Sequence, residues 1–232
     1  MMTKKLYTAV GRFTRQNSGL HGRSYPMILL GGKEYPVDLQ EMSLWTALNW
    51  RIVRWENIGT QYEKIIAATG LDTKRSWEDC AKRLLTRGLL VSGCGNTEYD
   101  ALYDLLGALS IIPASGSVWL RCLSFFKLTF FAHVPFTSAC QLFRKDQRTD
   151  YEKRVMALAG QMLLSTAEII QCVDHDLYRI QNDRTLLDSL YADDTTTSDN
   201  IVSSAKSSRN CGPVTLAVAN LYLRQQIIFE RV

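Results

Sequence analysis

The sequence contains no C-x-x-C pair and no Cys/His cluster at metal-ligand spacing, although it has six cysteines, at 80, 94, 122, 140, 172 and 211, and three histidines. A zinc site and a redox dithiol are therefore not expected, and scattered reduced thiols fit a cytosol. G-x-S-x-G and G-x-G-x-x-G are missing too, and Gly31-Gly32-Lys33 lacks the rest of a phosphate loop. The pair Asp193-Asp194 lies in a polar stretch that reads as a solvated loop, and Val173-Asp174-His175-Asp176 reads as the polar part of a helix. With no catalytic set, no enzyme is expected, and no cofactor or metal.

Long uncharged apolar runs are also lacking. Arg121, Lys127 and His133 interrupt the nearest candidate, Val118 to Cys140, well short of the roughly 18–20 residues that a membrane span needs. Met1 to Gly22 is basic and polar, with none of the apolar core of an export signal. The expectation is a cytoplasmic protein with no membrane partner.

What is present is an ordinary globular composition, 46% hydrophobic and 22% charged over 232 residues, which has room for two domains. Residues 1–92 hold 14 Lys+Arg against 8 Asp+Glu, and residues 93–232 hold 13 against 15. The cationic surplus thus lies in the N-terminal part, where a polyanion would be met. No internal repeat is evident.

Residues 1–24 read as a flexible basic leader. Tyr25 to Asp38, with its Gly-Gly-Lys turn, reads as a strand or small hairpin. Asp38 and Glu41 make a capping-box-like start to a helix closing near Trp55. Asn57-Ile58-Gly59 reads as a break, Thr60-x-x-Glu63 as the box opening a second helix to Thr69, and Gly70 as its stop. A third helix is expected over 76–87, then a short strand at Leu89-Leu90-Val91. Residues 98–112 have helical periodicity, and Pro113 marks a hinge between a domain at 25–113 and one at 114–232. In the latter, helices are expected from Val118, from Thr149 to Tyr178 and from Pro213 to Phe229, with a mobile loop at 193–210.

Ala67, Gly70, Leu71, Asp72, Leu84, Gly88, Leu89 and Val91 resemble the pattern of the MarR-like winged-helix regulators, over about 60 residues. The resemblance implies a mainly α fold: an N-terminal winged helix-turn-helix with a short β element, then a helical C-terminal domain. It implies a DNA-binding transcription regulator that reads the major groove of double-stranded DNA with helix 76–87. The contact residues would be Thr73, Lys74, Arg75, Ser76, Lys82, Arg83 and Arg87, with Thr60 and Gln61 available to a phosphate at the start of the preceding helix.

Glu78 and Asp79 suit the dipole at the start of helix 76–87 but oppose a phosphate. Trp119, Phe125, Phe126, Phe130 and other aromatics after residue 117 suggest a homodimer interface, a cavity for a small-molecule effector, or both; core packing explains each one singly. The alternative is a protein- or peptide-binding module without DNA binding, capturing its partner along the strand Met27–Leu30.

Overall fold

The computed structural model describes residues 3–17, 24–114, 148–177, 190–191 and 197–231. Among these, nine short strands form three antiparallel three-stranded sheets, interleaved with eight helices. The expected mainly α chain, a winged helix-turn-helix followed by an all-helical domain, is corrected by these sheets. The correction begins at the N-terminus, where β1 (Lys4–Ala9) and β2 (Arg12–Asn17) occupy the stretch read as a flexible leader. The lysines at its start hide a buried run, Tyr7 to Val10, at the end of a strand that has a hydrogen-bonded neighbour on each side.

β3 (Ser24–Leu30) and β4 (Lys33–Pro36) form the expected hairpin, with Gly31 and Gly32 at φ 57° and 73°. Residues with a Cβ rarely take two successive positive φ values. β2 pairs with β3 on its other side, so the sheet order is β2-β3-β4.

The Asp38 box opens α1 (Leu39–Leu48): Asp38 Oδ1 accepts from the N–H groups of Gln40 at 2.9 Å and Glu41 at 3.0 Å. α1 ends before Trp55, because Trp50 takes φ 56° and the chain turns into β5 (Val53–Arg54). α2 (Trp55–Thr69) runs straight through the expected break. Gly59 is there for contact rather than interruption, since a Cβ on it would stand 2.9 Å from Trp77 Nε1. Trp77 opens α3 (Trp77–Thr86), which is followed by β6 (Leu90–Gly95). These elements close a sheet of order β5-β1-β6, with Tyr7 opposite both Val53 and Ser92.

α4 (Glu98–Leu106) lies on β6, and the chain then enters β7 (Ser110–Pro113), so the expected helix over 98–112 stops early. The single helix expected from Thr149 is two, α5 (Asp150–Ala159) and α6 (Thr166–Asp174), separated by β8 (Leu164–Ser165). α7 (Ser198–Lys206) lies inside the stretch read as a mobile loop. The last expected helix divides into α8 (Cys211–Leu223) and β9 (Ile227–Glu230). The third sheet has the order β8-β7-β9, with Ile111 opposite both Leu164 and Phe229. The helix expected from Val118 lies outside the described residues, as does the aromatic stretch read as an interface or cavity.

One hydrophobic cluster runs from Tyr7 to Phe229. The buried Tyr222 hydroxyl ties its two ends together: it accepts from Trp50 N at 2.9 Å, donates to the Ala9 carbonyl at 3.0 Å and lies 2.9 Å from Thr8 Oγ1. No helix among the described residues is long and apolar enough to cross a membrane.

Candidate nucleic-acid interface

α3 starts at Ser76, whose hydroxyl oxygen accepts from Asp79 N at 3.2 Å. Cys80, Ala81 and Leu84 pack inward, which leaves Asp79, Lys82, Arg83 and Thr86 in solvent. In the connection before the helix, Thr73 and Lys74 are also exposed. Gln40, buried on α1, holds that connection: its Oε1 accepts from Lys74 N at 3.2 Å, and its Nε2 donates to the Arg75 carbonyl at 3.3 Å. An amide offering a donor and an acceptor to one loop fixes the loop's path onto α3.

Beneath this face lies Glu41, whose side chain is only 3% exposed. Arg83 Nε approaches its Oε1 at 3.2 Å, Arg87 donates to Oε2 at 2.9 Å, and Arg75 lies 3.7 Å from Oε1. Arg75 also donates to Asp38, and Arg87 to the Pro36 carbonyl. Burial pushes the Asp38 carboxyl up, but the Arg75 guanidinium and the first-turn N–H groups outweigh it, so its pKa is lowered. The hydrogen bond to Asp38 raises the Arg75 pKa in turn. Three guanidiniums share two carboxylates, Glu41 and Asp38, which leaves one positive charge in surplus.

The residues expected to contact DNA therefore divide. Lys74, Lys82 and Arg83 stand at the surface beside Thr73 and Ser76, and Arg83 keeps 57% of its side chain exposed. Arg75 and Arg87 are half-buried and spent on internal partners. Thr60 and Gln61 are corrected: α2 begins at Trp55, so they sit inside the helix with no free N–H groups to offer, and Gln61 accepts from Arg51. Nothing local in the sequence assigns Gln40 and Glu41 to this site. The one signal in the sequence is a glutamate at the third position of a capped helix, which specifies the cap and not the arginines that arrive from beyond residue 70.

In the C-terminal half a cavity of about 450 Å³ is lined by Ser110, Glu168, Tyr191, Asp199 and Arg231, among others. The Tyr191 hydroxyl donates to Glu168 at 2.7 Å, and burial together with that carboxylate raises its pKa. Among the described residues no cluster could hold a metal ion, and Cys80, Cys94, Cys172 and Cys211 are free thiols. Comparison of the chain with family models, with curated proteins and with solved structures finds no match.

Proposed function

We propose that the chain binds double-stranded DNA through the exposed face of α3 and acts as a transcription regulator. The observation that carries this reading is a surface helix whose outward cations, Lys82 and Arg83 with Lys74 beside them, are backed by a buried carboxylate that fixes the arginine. Such a helix suits the width of the major groove. Lys74, Lys82 and Arg83 serve as phosphate contacts, Thr73 and Ser76 as short polar groups near the helix start, and Arg75 and Arg87 as supports. Glu78 and Asp79 keep the approach selective, since they repel a phosphate that is out of register. The regulator works as a homodimer, and the Glu168–Tyr191 cavity is the place for a small-molecule effector with a polar head.

Capture of a peptide along Met27–Leu30 is not retained, because β3 has a partner on each side and offers no free edge.

The test is binding of the purified protein to random duplex DNA and to its own upstream region at about 50 and 200 mM salt. Binding that weakens steeply over this range, prefers the upstream DNA and is reduced in Lys82→Ala is expected. No binding at either salt overturns the reading.

A further inference from the structure

The β5-β1-β6 and β8-β7-β9 sheets follow one plan. Each has a central strand that pairs antiparallel with a two-residue strand on one side and with a later strand on the other. Leu39–Leu48 precedes Val53–Arg54 at the spacing by which Asp150–Ala159 precedes Leu164–Ser165, and in both places a helix starts on the next residue. Trp77–Thr86 precedes Leu90 as Cys211–Leu223 precedes Ile227. The turns between match bond for bond: Leu89 N donates to the Leu84 carbonyl and Gln226 N to the Leu221 carbonyl, with Gly88 and Gln225 at φ 71° and 60°.

The correspondence extends to side chains. Asp38 and Thr149 cap the first helices, with Glu41 and Glu152 at the third position of each box, both buried. Arg87 and Arg224 stand at equivalent places after the last helices and reach those glutamates at 2.9 and 3.3 Å. Ile58 and Ile169, and Leu84 and Leu221, are identical buried pairs. A hydrophobic pattern alone would repeat apolar positions; it does not repeat a buried acid together with the arginine that meets it.

From this we infer that the chain contains two copies of one structural core, and that their differences assign Arg83 to binding and not to folding. Arg87 and Arg224 are the common fastener. Arg83 occupies the place held by Asn220 in the second copy, and Glu152 Oε1 is correspondingly buried without a hydrogen-bond partner among the described residues. The second copy folds without that arginine, so the first copy does not need it for its fold. Glu41 positions its guanidinium on the exposed face of α3, where it can leave one oxygen of a shared carboxylate for a phosphate while Arg87 keeps the other. This role rests on the DNA reading; the equivalence of the two units does not.

Two variants of the full chain test the two parts. Asn220→Arg places a guanidinium beside the unpartnered oxygen of Glu152, and a rise in Tm of roughly 2–4 °C is expected. An unchanged or lower Tm overturns the equivalence. Arg83→Asn, which copies the second unit, is expected to lower Tm by no more than the roughly 2–4 °C that Asn220→Arg gains and to bind duplex DNA with a salt slope shallower by about 1. An unaltered salt slope, or a collapse in Tm, overturns the role of Arg83. If the wild type itself binds no DNA, that role fails together with the DNA reading, and Asn220→Arg still decides the equivalence.

Discussion

At equivalent positions the two units of this chain carry residues of opposite kinds. In the first, Gly93 lies on the outer strand of the sheet and α4 presses directly on it. In the second, the equivalent position is Glu230, whose carboxylate accepts from Gly31 N across the junction between the units. Likewise, among the described residues, the buried glutamate of the first unit gathers three arginines, and that of the second gathers one. One framework thus tolerates a packed surface or a polar bridge, and a cationic cluster or a single fastener. The common parts hold the fold, and the departures from them show where it has been put to use.

The sharpest way to break this comparison is Gly93→Ala. A Cβ there would stand 2.2 Å from Leu105 N and 2.5 Å from the Ala101 carbonyl, both backbone atoms of α4. A loss of about 3 kcal/mol or more is expected in denaturant unfolding, at the upper end of what overpacking costs. A loss below about 1 kcal/mol would mean that α4 is not seated on the sheet.

A smaller effect separates the two glutamates. Gln keeps the capping contact in either box but removes the charge. Glu41→Gln leaves Arg83 and Arg87 without their carboxylate and Arg75 with Asp38 alone, and is expected to cost about 2 kcal/mol, discounted because those arginines are partly exposed. Glu152→Gln removes one pair and is expected to cost about 1 kcal/mol. Equal losses would show that Arg75 and Arg83 contribute nothing through Glu41.

Tyr222→Phe removes the acceptor of Trp50 N and loosens the junction between the units, at a cost of about 1 kcal/mol. The Tyr222 pKa is pushed up by burial, from 10.0 to about 12. The unfolded chain releases this proton first, so the stabilisation is full below pH 10 and is lost as pH rises toward about 12. The gap in Tm between wild type and Tyr222→Phe should therefore close across that window. A gap that stays constant would place the hydroxyl in water.

Local features could be read without the fold. The Asp38–Glu41 box, the Gly31-Gly32 hairpin and α3 are set by residues close in sequence, through caps, positive φ and helical spacing. The stretches that misled were those whose partners are distant. Lys4–Ala9 looks like a basic leader until Val53 and Ser92 flank it, and Leu164-Ser165 looks like helix until Ile111 pairs with it. Strand pairing is a non-local property, and a two-residue strand has no period to detect.

By itself the sequence determined the Asp38 cap, the Gly31-Gly32 turn, the bounds of α3 and the surplus of cations in the first part of the chain, since each depends on neighbours a few residues away, whereas the box read at Thr60 lies inside α2. Only the tertiary structure decided that Arg75, Arg83 and Arg87 meet one buried carboxylate, and that Glu152 and Arg224 repeat part of that meeting. The physical reason is that a buried charge is matched by whichever opposite charge the fold brings to it, and residues that share little sequence can close the same pair wherever the backbone follows the same path.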